Sequence, residues 1–333
     1  MYAVQLAKEL GTDPEIRQRK QKMTKTAPQA LYSLGLQQPR LVYFQGDVRP
    51  WEEATLHVSC EAVNRGLNVY EGLKGYWQAE ENAFGIVELR RHYERLTRSA
   101  KLLHIPVPIT YDELRNACGK LVRQLYEPAK DMWIRATLYV VEGHWGEGTV
   151  ADLVLTAYHQ EKQPPTPVSV GISTWQRSSD ISLSPRIKTS TNYQIARLAR
   201  IEGRGRGFSE MILLNQFGRV AEATGACVLL VRDGCAITPP ASEGRLESIT
   251  LEVVRRICDL TGIPFIERPV DRTELYIADE IRLVGTLAEL TPVTQVDDYK
   301  LPASSPLTDR IAATFWDAVR GRATHPVVEL TFI

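Results

Sequence analysis

Apolar residues recur along this chain with two distinct periods, and the switches between them mark its elements. Leu41-Val42-Tyr43-Phe44, followed by Gln45-Gly46-Asp47, reads as a strand and tight turn opening a hairpin. Leu67 to Trp77 is rich in β-formers but carries Gly72 and Gly75. Glycines inside a strand suggest close approach by another backbone or a ligand. Tyr93, Leu96, Ala100 and Leu103 recur at helical spacing and predict a helix over Arg90 to Leu103. Leu114, Cys118, Leu121 and Leu125 form a second such stripe, over Tyr111 to Leu125. Trp133 to Glu142 and Leu153 to Tyr158 read as strands, so this half of the chain is α+β.

A proline-rich connection, Gln160 to Pro167, precedes a strand at Val168 to Trp175. Gln176 to Ile187 is polar and reads as a loop with a domain boundary in or beside it. Beyond it the elements alternate. Helices are predicted at Asn192 to Arg204, Ser248 to Leu260 and, shorter, Asp271 to Ala278. Strands are predicted at Glu210 to Leu214, Cys227 to Arg232, Phe265 to Pro269 and Glu280 to Val284, with turns at Asn215 to Gly218 and Asp233-Gly234. Helices interleaved with short, largely antiparallel strands predict a curved sheet or pseudo-barrel. The expected division is an N-terminal extension with a short helix over 1–35, a smaller α/β domain over 36–175, an interdomain loop over 176–187 and a larger domain over 188–333.

Composition narrows the function classes. Forty basic residues balance forty acidic ones among the 333, so no net field points to nucleic acid or an anionic membrane. No apolar run approaches the ~20 residues that span a bilayer, and Met1 to Lys25 lacks the apolar core of a secretory signal. The five cysteines are odd in number and form no CxxC pair. A disulfide framework or zinc site is therefore not expected, and a reducing, cytoplasmic setting fits.

The chemistry concentrates on a few residues. Lys188 sits in Arg186-Ile187-Lys188-Thr189-Ser190-Thr191-Asn192-Tyr193, and Glu222 in Val220-Ala221-Glu222-Ala223-Thr224-Gly225. Alone, each reads most simply as a solvated surface charge. Together they could build an electron sink: a desolvated lysine amine condenses with an aldehyde, and a buried carboxylate keeps a pyridine nitrogen protonated. The phenol of Tyr193 could donate to a ring oxygen. Leu246-Glu247-Ser248-Ile249-Thr250 opens a predicted helix, where free N–H groups and the macrodipole favour an anion, although Ser248 or Glu247 could be a simple cap. Val284-Gly285-Thr286-Leu287 is a second small-residue turn able to close on the same phosphate, and Arg95 could add a bidentate donor.

These segments, in this order, resemble the fold-type IV pyridoxal phosphate enzymes, the class IV aminotransferases, over roughly residues 40 to 300. The specific parts are Ile187-Lys188-x3-Asn192-Tyr193, Glu222-x2-Gly225, Leu246-x2-Ile249-Thr250 and Gly285-Thr286 running on to Thr291-Pro292-Val293, with Leu275-Tyr276-x-Ala278-Asp279-Glu280 in support. The resemblance implies an α+β, two-domain, D-amino-acid-aminotransferase-like fold. It implies pyridoxal 5'-phosphate as cofactor, with Lys188 as Schiff-base lysine and acid–base, Glu222 on the pyridine nitrogen and Tyr193 on the phenolic oxygen. Arg95, Ser248, Ile249, Thr250, Gly285 and Thr286 would bind the phosphate, and Leu246 would pack on the ring.

Arg65-Gly66-Leu67-Asn68-Val69-Tyr70-Glu71-Gly72-Leu73-Lys74 and Trp133-Ile134-Arg135 are similar to the substrate side of branched-chain aminotransferases. There Tyr70 would be an aromatic wall and Arg135 would meet the side-chain carboxylate of glutamate. D-amino-acid aminotransferases carry their carboxylate-binding arginine near positions 140 to 142, where this chain has none. Arg65, Lys74, Trp133 and Leu287 depart from the branched-chain pattern and would set the pocket's volume and charge. The resemblance thus implies amino-group transfer from an amino acid, branched-chain-like and L, to a 2-oxo acid such as 2-oxoglutarate. A lyase of the same fold, acting like aminodeoxychorismate lyase, and a D-amino-acid or amine aminotransferase are the alternatives. The resemblance also implies a homodimer or higher oligomer, and the loop from Gln176 to Pro185 would gate the pocket.

Overall fold

The computed structural model describes residues 39–125, 127, 130–321 and 326–333. The expected N-terminal extension and its helix lie outside the described residues. The remainder forms two sheets with helices on their flanks.

The first sheet has seven strands: β1 Leu41–Phe44, β2 Asp47–Pro50, β3 Asn68–Gln78, β4 Ala83–Val87, β5 Asp131–Glu142, β6 Val150–Gln160 and β16 Leu330–Phe332. Their order is β16-β4-β3-β5-β6-β1-β2, and each neighbouring pair is antiparallel. Gln45 and Gly46 both take positive φ, 52° and 83°, the geometry a two-residue hairpin turn requires. Two helices, α1 Leu89–Leu102 and α2 Tyr111–Leu125, cover this sheet. Their stripes (Leu96 and Ala100; Leu114, Cys118 and Leu121) close a core with Val69, Leu73, Ile134 and Leu138.

β3 is buried at all 11 positions, because both of its faces are covered. Side chains alternate across a strand. Val69, Glu71 and Leu73 therefore turn to α1, while Tyr70, Gly72, Lys74 and Tyr76 turn toward the second sheet. That second face positions the candidate site.

The second sheet comprises β7 Val168–Gln176, β8 Glu210–Leu214, β9 Val220–Ala223, β10 Cys227–Arg232, β11 Cys235–Thr238, β12 Phe265–Glu267, β13 Glu280–Gly285, β14 Glu289–Val296 and β15 Tyr299–Lys300. The path runs β12-β11-β10-β13-β14-β7-β8-β9, with β15 paired to β14. It curls into a half-barrel: its last strand, β9, returns beside β10 through the turn closed by Ala223 N–H donating to the Ala226 carbonyl at 2.8 Å. Three further helices are α3 Tyr193–Gly205, α4 Ile249–Thr261 and α5 Pro306–Val319. Helices α4 and α5 pack Leu251, Val254, Ile257, Ile311 and Phe315 against one face, and Val170, Ile212, Val228, Leu230 and Ile281 fill the other.

Several expectations need revision. Val168–Gln176 belongs to the second sheet, paired in parallel with β14 and β8, so the sheets part at the proline-rich connection and not after residue 175. The chain also returns at its end, where β16 pairs with β4. The largely antiparallel pairing expected here holds for β8–β9, β10–β11, β10–β13, β13–β14 and β14–β15, with parallel contacts added at β7–β8, β7–β14 and β11–β12. Asp271 to Ala278 is a 3-10 turn over Arg272–Tyr276, and the loop after β7 contains a single helical turn, Asp180–Leu183. Strands β4, β9, β11 and β14 and helix α5 were not expected: β9 carries Glu222 and β14 carries Pro292, and each interrupts an apolar run.

Candidate active site

Lys188 lies between the sheets, and its backbone is held by β3 and by α1. The Tyr70 N–H donates to its carbonyl at 2.9 Å, and its own N–H donates to Ser99 Oγ at 3.1 Å. A 3-10 turn, Ser190–Asn192, then leads into α3 and brings Tyr193 back toward it. Lys188 Nζ donates to Tyr193 Oη at 2.8 Å and stands 4.9 Å from the Tyr70 ring centroid. The two tyrosine rings are 5.3 Å apart. Burial, and then the neighbouring Tyr193, push the Tyr70 phenol well above its ordinary range, so it stays neutral beside the amine.

Glu222, on β9, is partly buried. Its Oε2 accepts from the Leu246 N–H at 2.9 Å, and its Oε1 lies 2.7 Å from Arg177 Nε. Arg177 is buried, and its Nη1 donates to the Asn192 carbonyl at 3.3 Å. Asn192 Nδ2 in turn donates to the Ile187 carbonyl at 2.9 Å. A chain of contacts therefore joins the carboxylate to both ends of the Lys188 segment. Arg177 escaped sequence reasoning because an arginine closing a strand gives no periodic signal.

Leu246 and Ser248 sit at the entry to α4. Ser248 is the N-cap and accepts from the Leu251 N–H at 3.2 Å. The cap reading of that segment is met; the cap occupies one amide, while the N–H groups of Ile249 and Thr250, in the first turn, have no intrahelical acceptor. Arg95 reaches this end from α1, donating from Nη1 to the Glu247 carbonyl at 2.7 Å. Its Nε and Nη2 each donate to Glu71 at 2.7 Å, and Glu71 also meets His92 Nδ1 at 2.7 Å. Burial alone would raise the Glu71 carboxyl, but Arg95 and His92 outweigh it and hold the group at about 2. Burial lowers the His92 imidazole, so the arginine faces an ionised partner on one side only. Glu71 was legible as an acid inside a β-forming run, where burial demands a partner.

Gly285 ends β13 beside another glycine turn; a Cβ there would stand 3.3 Å from the Gly225 carbonyl oxygen. Thr286 and Leu287 are half-buried in the turn that follows.

The residues expected to line the substrate side divide into two groups. Gly72 pairs with Arg135 and Lys74 with Trp133 across β3 and β5, so all four share the face of Tyr70. The Arg135 guanidinium carbon lies 3.9 Å from the Tyr70 ring centroid, and Nη2 donates to Ser190 Oγ at 3.4 Å. Trp133 stacks on Tyr158 at 5.2 Å and crosses Gly72, where a Cβ would sit 3.0 Å from the indole Nε1. Lys74, however, is bound to Glu289, with Nζ 2.5 Å from Oε1. Arg65 is at the exposed rim, paired with Glu61 at 2.6 Å and stacked 5.0 Å over Trp145.

This donor set suits a planar aromatic cofactor that bears an aldehyde near Lys188, a ring oxygen near Tyr193, a basic ring nitrogen near Glu222 and a phosphate at the α4 N-terminus. Among the described residues, no group of three or more His, Cys, Asp or Glu is placed to hold a metal ion. Among them, too, no helix is long and apolar enough to cross a membrane.

Comparison with known proteins gives the same reading. The family description "Amino-transferase class IV" matches residues 68–296. A probable branched-chain-amino-acid aminotransferase of Aquifex aeolicus is 31% identical over 288 residues, covering 84% of this chain and 92% of that protein. The holo, pyridoxal phosphate form of the branched-chain amino acid aminotransferase from Thermobaculum terrenum superposes with a TM-score of 0.80 at 33% identity, over 89% of this chain and 98% of that one. The branched-chain aminotransferase from the thermophilic archaeon Thermoproteus uzoniensis, with norvaline, does so at 0.83 and 33% identity, over 88% and 99%. The chain is a pyridoxal-phosphate-dependent enzyme of the class IV aminotransferases and belongs to their branched-chain amino acid aminotransferase family.

Proposed function

We propose that this enzyme moves the amino group of an L-amino acid with a branched or straight aliphatic side chain to 2-oxoglutarate, with Lys188 as its catalytic residue. The contact of Lys188 Nζ with Tyr193 Oη, at 2.8 Å, carries the reading: it sets an amine and a phenol side by side between the two sheets. When bound, pyridoxal phosphate supplies the electron sink for the substrate Cα–H bond. With the cofactor bound, Lys188 Nζ would take the proton from Cα and deliver it, on the same face, to the carbon of the cofactor's aldehyde group, which is general acid–base work. Tyr193 holds the ring oxygen, and Glu222, steadied by Arg177 and the Leu246 N–H, keeps the ring nitrogen protonated. Arg95, Ser248, Ile249, Thr250, Gly285 and Thr286 hold the phosphate, and Leu246 packs on the ring. Tyr70, Trp133 and Leu287 shape the side-chain pocket, Arg135 receives the distal carboxylate of glutamate, and Arg65 stands at its rim.

The test is a half-reaction. The purified enzyme is mixed with single amino acids, and its spectrum is followed from the pyridoxal to the pyridoxamine form. Conversion by L-leucine, L-valine and L-glutamate supports the reading. Conversion by D-amino acids or amines alone overturns the substrate, and pyruvate release from aminodeoxychorismate without an acceptor points to the lyase. We also infer a homodimer, supported by the exposed apolar side chains of Val58 and Val63 and by Trp145 against Arg65 at the site's rim. Light scattering that gives a monomer mass at assay concentration would exclude it. A cytoplasmic setting is supported by free thiols at Cys60, Cys118, Cys227, Cys235 and Cys258.

A further inference from the structure

Lys74 lies on the substrate-facing side of β3, yet its ammonium is bound to protein. Nζ lies 2.5 Å from Glu289 Oε1, and Tyr76 Oη donates to the same oxygen at 2.9 Å. Lys74, Tyr76 and Glu289 are 6%, 1% and 3% exposed. Burial and the Glu289 charge push the Tyr76 phenol well above its ordinary range, so it remains a donor to that carboxylate.

Glu289 is the first residue of β14. It pairs with Gly285 across β13 and closes the turn that contains Thr286 and Leu287. Its φ is 50°, in the left-handed region that non-glycine residues seldom occupy. Such a conformation persists only where the surroundings over-determine it. The two donors from β3 supply that constraint, and they come from the other sheet. One buried ion pair therefore ties the substrate wall to the turn after β13.

We propose that Lys74 is a positioning residue: through Glu289 it holds the Gly285–Glu289 turn where Thr286 meets the cofactor phosphate, and it does not touch the substrate. The inference rests on the reading of the site given above. A lysine serving a substrate carboxylate needs a free ammonium facing the pocket, whereas this one is buried against a carboxylate and the Tyr76 ring, 5.2 Å away. Removing either partner leaves the other as an uncompensated buried charge, which strongly disfavours the present arrangement. The turn is the part able to move in response, because Thr286 and Leu287 are only half-buried.

The experiment uses the full chain, stripped of cofactor and titrated with pyridoxal phosphate, followed by steady-state kinetics with 2-oxoglutarate and with a monocarboxylate 2-oxo acid. The proteins are wild type, Lys74→Met, Lys74→Arg, Glu289→Gln and the double variant Lys74→Met/Glu289→Gln. We expect Lys74→Met and Glu289→Gln each to weaken cofactor binding by about tenfold or more. The double variant should lose no more than the worse single variant, because coupled partners are non-additive. Lys74→Arg should recover most of the affinity, and KM for the two acceptors should move together.

Unchanged cofactor affinity with a KM rise for one acceptor alone would show that Lys74 meets substrate and overturn the proposal, as would additive losses. If Lys74→Met does not fold, Tyr76→Phe keeps the buried ring and removes one donor. Weaker cofactor binding in that variant supports the proposal, and unchanged binding sinks it. Failure of wild type to pass its amino group from any amino acid would refute the functional reading and leave the cofactor titrations to decide the clasp.

Discussion

Individual charges in this protein are committed before any substrate arrives. Glu71 is the clearest case. Its carboxyl is buried, yet Arg95 and His92 bring it from 4.5 down to about 2. A group with a depressed folded pKa contributes stability that is complete above the unfolded value and is lost as pH falls through the folded one. The window here runs from about 4.5 down to about 2, and the contribution is about 3 kcal/mol. Glu71→Gln is expected to be less stable at neutral pH and to lack that acid-dependent component. Denaturant melts across the window check it, and parallel pH dependence in both proteins would refute the assignment. Arg135 is the opposite kind of residue. Its guanidinium rests on the Tyr70 ring and, among the described residues, donates only to Ser190 Oγ, at 3.4 Å, so it has donors to spare. Arg135→Met should raise KM for 2-oxoglutarate by about 10- to 100-fold, the worth of hydrogen bonds to a charged group. KM for a monocarboxylate oxo acid should change little, and equal rises for both acceptors would contradict the role.

At the scale of elements, β3 organises the site because both of its faces are used. Odd positions carry the Glu71–Arg95 pair toward the N-terminus of α4, and even positions carry Tyr70, Gly72 and Lys74 toward the second sheet. Gly72 has a specific steric duty, since the Trp133 indole occupies the space a Cβ would need, at 3.0 Å. Gly72→Ala must push the indole aside. We expect kcat/KM to fall by roughly tenfold or more, as misplacement of a pocket wall does, with cofactor affinity kept. Adding Trp133→Phe should restore part of the loss, and no recovery would place the effect elsewhere. Gly72 was legible as a sign of close approach, but the neighbour it admits was not: Trp133 lies on a strand distant in sequence. Gly75, read the same way, has only ordinary contacts, with Phe84 and Ile86 at 3.7 Å from a Cβ placed there. The N-terminus of α4 was legible because Ser248 and the apolar stripe behind it are local signals. Glu289 was not, because its left-handed backbone and its partner Lys74 are consequences of packing between sheets.

At the scale of the molecule, the two sheets are stitched by contacts that cross between them. Tyr70 N–H holds the Lys188 carbonyl, Arg95 holds the Glu247 carbonyl, Lys74 meets Glu289, and Arg256 Nη2 donates to Glu88 at 2.6 Å. The chain itself crosses back at β16. With so many ties, the halves are expected to unfold in one transition, the usual behaviour of a cooperative unit. Tryptophan fluorescence and far-ultraviolet circular dichroism should give coincident denaturation curves. Two resolved midpoints would mean that the sheets are energetically separate.

Local periodicity and motif order were enough to determine the helices over α1, α2, α3 and α4, the leading strands of both halves, and the family with its pyridoxal phosphate cofactor. Those signals depend on residues close in sequence, where spacing and side-chain type already restrict the geometry. Sheet membership and partner choice needed the folded molecule. The side of the proline connection on which β7 would pair depended on hydrogen bonds to β8 and β14, formed far along the chain. Lys74, read in the sequence as a substrate contact, acquired Glu289 as its partner across 215 positions. Arg177 reached Glu222 only once β7 and β9 lay in one curled sheet. A buried charge takes whichever counter-charge the packing brings near, and one-dimensional spacing carries no record of that choice.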